Sequence, residues 1–208
     1  MDQISRLVDR LTDRLTDWIR VYEDSFSDDF CDRCVACVDR GEQTVPYDLA
    51  WRRGAAYPLN ADADLLTEFT RGVAALLARY KAETATIDSL ATTAHIESPN
   101  VFKYSVVPEG EPPHHFTRHA DDWNEESATR QISVITYLND VVDGGETNFT
   151  DIGRKVRPKK RRTLLFPSSF LFMHSGEPPI SGPKYIIVSW LHFGQRHAYQ
   201  TYSLYAGR

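Results

Sequence analysis

The sequence predicts a mainly β domain with α, a sandwich or jelly roll with helices packed on one sheet. Three observations carry that expectation. Apolar residues recur at helical spacing through the first half. The second half changes to short β-rich runs separated by turn signals. The chain has 208 residues, enough for one domain with a real core, and shows no internal repeat.

The helical half is read first. Ile4, Leu7, Val8, Leu11, Leu15, Trp18, Ile19 and Tyr22 share one helical face. Ser27 caps a second helix carrying Phe30, Cys34 and Val38, which Gly41 ends. Residues 42–60 contain Pro46, Gly54 and Pro58 and read as a loop, a candidate lid with Tyr47, Trp51, Arg52 and Arg53. Asn60 or Asp62 opens a third helix. Its buried side holds Leu65, Leu66, Phe69, Val73, Leu76, Leu77 and Tyr80. A shorter helix is expected near residues 86–96. The β-rich runs are 101–107, 131–138, 162–166, 171–174 and 185–193, with breaks at Gly144-Gly145 and Pro167-Ser168-Ser169.

Composition narrows the function classes. Hydrophobic residues make up 41% and charged residues 25%, as in ordinary globular proteins. The net charge of −5 disfavours nucleic acid as a partner. No apolar run approaches the roughly 18 residues of a membrane span. The N-terminus is charged and amphipathic, unlike a signal peptide, so the expected location is cytoplasmic, with no membrane partner. Cys31, Cys34 and Cys37 lack the fourth ligand of a structural zinc site and read as small buried hydrophobes on a helix. The run 154–162 carries seven cations in nine residues, and Val156 and Pro158 interrupt it. It reads as a solvated hairpin rather than a nucleic-acid patch.

The chemistry lies in His119-Ala120-Asp121, His174 and Lys184, the last ten residues beyond His174. On an extended segment, residues two apart point the same way, so His119 and Asp121 can meet one ion. Two imidazoles and a carboxylate suit Fe(II) with open coordination positions. Lys184 can hold the far carboxylate of a dicarboxylate. His114 and His115 are nearby competitors without a carboxylate two residues on. Each residue is weak evidence alone; their order and spacing together are strong.

With these residues the chain resembles the 2-oxoglutarate/Fe(II)-dependent dioxygenases, specifically the prolyl 4-hydroxylase-like branch. The resemblance covers roughly residues 100–195. It rests on Tyr104, His119, Asp121, Arg130, Tyr137-Leu138, Gly144-Gly145-Glu146-Thr147, Phe166-Pro167, His174 and Lys184. It implies a double-stranded β-helix (jelly roll, cupin-like) over residues 99–195. A helical support region over 1–98 would buttress it, and a tail over 196–208 would complete a single domain of 1–208. It implies that His119, Asp121 and His174 hold Fe(II), with 2-oxoglutarate and O2 as cosubstrates and ascorbate as a further candidate. Lys184 would pair with the C5 carboxylate of 2-oxoglutarate, Tyr137 would donate to the same carboxylate, and Tyr104 would lie near the metal end. Arg130, Trp190 and His192 match the branch's substrate-binding positions. Trp190 and His192 can equally be inward-facing residues of the last strand.

The implied activity is hydroxylation of a prolyl residue in a peptide or protein. A hydroxylase of a free amino acid or other small metabolite is the first alternative. It would need an additional charged clamp, and Arg52, Arg53 or Arg118 are the candidates. A non-catalytic jelly-roll binding protein is the second. Asp121 favours hydroxylation over halogenation, since the related halogenases carry a small residue there. The long stretch 108–113 (PEGEPP) and the segment 122–126 depart from the pattern and flank the metal mouth. The roles of Tyr199, Tyr202 and Tyr205, and the oligomeric state, are left open.

Overall fold

The computed structural model describes residues 14–84, 94–194 and 200–204. Its strands are β1 (Arg20–Tyr22), β2 (Val45–Leu49), β3 (Arg52–Pro58), β4 (Ala94–Glu97), β5 (Asn100–Tyr104), β6 (Phe116–His119) and β7 (Ile132–Tyr137). They continue as β8 (Thr147–Phe149), β9 (Arg154–Val156), β10 (Thr163–Pro167), β11 (His174–Gly176), β12 (Lys184–Phe193) and β13 (Thr201–Ser203). Among the described residues, α1 (Asp28–Asp39) and α2 (Ala63–Glu83) accompany them.

One antiparallel sheet runs β1-β10-β7-β12-β5-β3-β6-β11-β8-β9 and curls into the expected double-stranded β-helix. Its central strands are buried on both faces, and side-chain alternation sorts them. On β12, Tyr185, Ile187 and Leu191 meet the helices, while Ile186, Val188 and Trp190 fill the inside of the curl. On β7, Ile132 and Val134 face the helices, and Ile135 and Tyr137 face inward. Lys184 therefore shares its inward face with Ile186, Val188 and Trp190.

Asp62 caps α2 by accepting from the amides of Asp64 and Leu65. Leu65, Phe69, Val73, Leu76, Leu77 and Tyr80 form its buried stripe against the sheet. Each contributes about 1.5–3 kcal/mol relative to exposure. Ser27 caps α1, and Gly41 follows its end at φ +76°. Cys31, Cys34 and Cys37 are free thiols on the buried face of α1, and burial raises the thiols of Cys31 and Cys34.

Four expectations from the sequence are corrected. First, the N-terminal helical spacing does not extend to Tyr22, because Arg20–Tyr22 is a strand paired with β10. The backbone groups along the β10 edge find partners there, and that outweighs local periodicity. The residues from Ile4 to Leu11 lie outside the described residues.

Second, residues 42–60 are a hairpin and not a loop or lid: β2 pairs β3, and β3 joins the main sheet beside β5. Gly54 was a false break. Its φ is +152°, and a Cβ there would lie 2.7 Å from the Lys103 carbonyl, so glycine permits close strand approach. Third, residues 170–172 form a 3-10 turn, and the strand begins at His174 rather than ending there. Phe170 and Leu171 are exposed, while Phe172 is buried in the inner core. Fourth, Ala94–Glu97 is a strand; the rest of the helix expected near 86–96 falls on residues 85–93, outside the described set.

The basic run is a structural seam. Lys159 pairs with Glu23 (3.1 Å), Lys160 with Asp32 (2.7 Å), Arg161 with Asp24 (3.1 Å) and Arg162 with Glu23 (2.7 Å). These four charges are met by the chain's own acids, and Arg154 donates to the Thr16 and Ile19 carbonyls. Tyr202 lies on β13, which pairs with β4, and packs against the core. Tyr199 and Tyr205 lie outside the described residues.

Candidate metal centre and active site

β6 and β11 pair so that His119 stands opposite His174. Asp121 follows β6, and its amide donates to the Ser168 carbonyl, which fixes the turn. The ligand atoms of His119, Asp121 and His174 all lie within 4.8 Å of one another. Asp121 and His174 are each only 4% exposed.

The imidazoles are oriented by their own strands. His119 Nδ1 lies 2.7 Å from the Thr117 carbonyl, and His174 Nδ1 lies 3.0 Å from the Phe172 carbonyl. A carbonyl only accepts, so each Nδ1 carries the proton and each Nε2 presents a lone pair. Those Nε2 atoms face the two oxygens of Asp121, at 3.4 Å for His119 and 3.7 Å for His174.

Charge supports the same reading. Burial alone would raise the Asp121 carboxyl, but His174, His119 and the Ser133 hydroxyl hold it well below the usual carboxylate range. Burial pushes His174 down to about 4, partly opposed by Asp121. Near neutral pH the site thus holds a carboxylate and a neutral His174, the forms that ligate a metal. Ser133 Oγ donates to Asp121 Oδ2 (2.5 Å) and meets Ser168 Oγ at 2.9 Å.

Lys184 opens β12 and is 1% exposed. Its Nζ donates to the Gly145 carbonyl at 2.8 Å. Burial pushes it down to about 7, against the pull of Glu177 and Glu146, while Arg52 pushes it further down. It lines an inner cavity with Tyr104, Thr147, Gly176, Arg52 and the three ligands. A wider groove of about 470 Å³ opens outside, lined in part by Trp51, Arg52, Trp123, Arg130 and Trp190. His119 and Asp121 line both cavities.

Residues 101–192 match the model of the 2OG-Fe(II) oxygenase superfamily. This stretch is similar to that superfamily over its whole length. Its donor set fits the family's cofactors: the ligand atoms converge, and a buried ammonium stands where a second carboxylate can be held.

Curated relatives include prolyl 4-hydroxylase 5 of Arabidopsis thaliana, 32% identical over 126 residues. That alignment takes in 46% of this chain and 42% of the relative. Probable prolyl 4-hydroxylase 9 of the same plant is 24% identical over 77% of this chain and 64% of its own length. The chain thus spans about half the length of the curated relatives it matches.

Among solved structures, a Trichoplax adhaerens prolyl hydroxylase in complex with a hypoxia inducible factor peptide fragment superposes with TM-score 0.67. It shares 16% identity and covers 92% of this chain and 94% of its own. A viral collagen prolyl hydroxylase from Paramecium Bursaria Chlorella virus-1, in its 2OG complex, gives TM-score 0.63 at 19% identity. There the match covers 84% of this chain and 95% of the other. At these identities the likeness concerns the fold.

The remaining site expectations divide. Tyr104 lines the inner cavity, and its hydroxyl accepts from Arg52 at 3.2 Å. Tyr137 is fully buried behind Thr147, whose hydroxyl it meets at 2.6 Å, and does not line the cavity. Thr147 thus stands between Tyr137 and the cavity.

Arg130 and Trp190 line the groove, with the guanidinium 3.6 Å from the indole centroid. Arg130 also pairs twice with Glu97, at 2.8 and 2.6 Å. His192 is fully buried, between Thr129 Oγ1 (3.0 Å) and Glu97 Oε2 (3.2 Å), and is not a groove-lining residue. Burial in the last strand sets His192 against Glu97 and Thr129, behind the groove wall.

Sequence reasoning missed Thr147 as a cavity residue, the Ser133–Ser168 pair behind Asp121, and Glu97. Strand alternation held the signal for the first two. Glu97 had no local signal, because its partners lie 33 and 95 residues away.

Proposed function

We propose that this protein is a 2-oxoglutarate- and O2-dependent Fe(II) hydroxylase acting on a prolyl residue in a peptide or protein. The observation that carries the reading is the convergence of His119, Asp121 and His174 in one cavity with the buried Lys184. When bound, Fe(II) and 2-oxoglutarate supply O2-dependent hydroxylation of an unactivated C–H bond, with succinate and CO2 released.

The chain's own residues do the rest. His119, Asp121 and His174 hold the metal from one side and leave the other open. Lys184 holds the distal carboxylate of 2-oxoglutarate as a buried ammonium, and Thr147 and Tyr104 line that cavity. Phe116, Ile186 and Val188 keep it apolar and exclude water. The outer groove is open and aromatic, a form that admits a chain segment. Trp190, backed by Arg130, offers a flat wall to a pyrrolidine ring. Glu97 and His192 hold Arg130 in place.

Prolyl hydroxylases among the relatives and a peptide-complexed structural neighbour support the substrate class. The test offers a proline-containing peptide and free proline in competition, with succinate and the 16-dalton mass gain as readouts. The peptide is expected to gain the oxygen. Oxygen on free proline alone would contradict the substrate class, and succinate with neither substrate modified would contradict proline as the target.

A further inference from the structure

Arg52 stands apart from every other cation at the mouth of the site. It is 7% exposed, and among the described residues its guanidinium has no ion pair. The other candidate clamps are already engaged: Arg53 with Asp48 at 2.9 Å, Arg118 with Asp151, and Arg130 with Glu97 at 2.6 Å. Arg52 has one hydrogen bond, to the neutral Tyr104 hydroxyl, and its Nε has no partner.

Aromatic faces hold the group in place. Its Cζ lies 3.7 Å from the centroid of Phe102 and 4.4 Å from that of Phe116. Such faces partly offset the desolvation of a cation and leave its in-plane donors pointing outward. They do not replace a counter-ion. A buried, unpaired charge is costly and is kept where a ligand completes it.

Arg52 lines both the inner cavity and the outer groove. Fe(II), the dianionic 2-oxoglutarate, Asp121 and Lys184 together neutralise one another in the inner cavity. Arg52 then remains as one positive charge in excess, at the junction with the groove. Trp190 adds a second observation: its buried indole Nε1 has no acceptor, and it lines the same groove. Two residues that line the groove thus each keep a donor without a partner, and one of them is a cation.

We propose that Arg52 is a substrate-binding residue that takes a carboxylate lying close to the target prolyl residue. The inference rests on the hydroxylase reading for the target and on Arg52's own surroundings for the carboxylate. That carboxylate comes either from an acidic side chain beside the proline or from a free C-terminus. Both have the same bidentate geometry for a guanidinium.

The test uses three blocked proline peptides of one sequence: glutamate beside the proline, glutamine in its place, and the glutamine form with a free C-terminal carboxylate on the proline. Binding is read from tryptophan fluorescence, since Trp51, Trp123 and Trp190 line the groove. KM is read from succinate release. At least one carboxylate peptide is expected to bind wild type tenfold or more tightly than the neutral peptide, and which one does so names the source. In Arg52→Gln that preference collapses, and in Arg52→Lys part of it survives.

Equal affinity for all three peptides in wild type overturns the proposal, whatever the variants do. A preference that persists in a folded Arg52→Gln also overturns it. Preference in the binding assay without turnover keeps Arg52's role and counts against the hydroxylase. Turnover without preference does the reverse.

Discussion

Ser133 and Lys184 show how single side chains set the chemistry. Ser133 Oγ and Ser168 Oγ fix which oxygens Asp121 turns toward the metal. Removing a partner behind a ligand typically costs tenfold to a hundredfold in metal affinity. Ser133→Ala is expected to weaken Fe(II) binding by that factor, measured by chelator competition; unchanged affinity would show that Asp121 needs no support.

Lys184 makes a pH prediction. Its folded value, about 7, lies below the ordinary 10.5. The unfolded chain therefore binds more protons between these values, and the ligand-free protein gains stability from this group as pH rises from about 7 toward 10.5. A bound carboxylate reverses the preference and favours the ammonium. So 2-oxoglutarate binding takes up a proton above pH 7 and weakens as pH rises. Calorimetry of 2-oxoglutarate binding in buffers of different ionisation enthalpy measures the uptake, and none at pH 8 would contradict the charged anchor. The ligands and Lys184 were legible in the sequence because iron chemistry restricts residue type and spacing. Ser133 was marked only by strand alternation, which names no role, and Arg52 stood out only as one of three candidate clamps.

Among the elements, the paired glycines and the β2–β3 hairpin matter most to the site. Gly144 and Gly145 sit at φ +75° and +77°, and the Gly145 carbonyl receives Lys184. A Cβ on Gly144 would lie 2.4 Å from the Pro178 carbonyl. Gly144→Ala is expected to destabilise the fold by about 1–3 kcal/mol, read as a lower urea midpoint. An unchanged midpoint would show that this turn relaxes. The central strands of the sheet were legible from their β-branched runs, and α2 from its capped apolar stripe. The hairpin was not, because Pro46 and Gly54 carry turn signals, while Gly54 actually serves strand packing. Likewise, the exposed Phe170 and Leu171 imitated a strand that begins only at His174.

On the scale of the whole molecule, the curled sheet brings distant parts of the chain to one centre. β6 and β11 bring the metal ligands face to face, β12 supplies Lys184 and Trp190, and β3 and β4 supply Arg52 and Glu97. Arg52 and Glu97 come from outside the stretch that matches the family. Such long-range meetings have no local signature, and so the inner site was more legible than the groove.

The central claim is that one site holds both Fe(II) and 2-oxoglutarate. It is tested by anaerobic titration of the metal-free protein with both, watching the visible charge-transfer band of the chelate. Wild type is expected to develop the band, and Asp121→Ala and Lys184→Ala to weaken it. No band at saturating Fe(II) and 2-oxoglutarate, or a band of full strength in both variants at the same concentrations, would contradict the account.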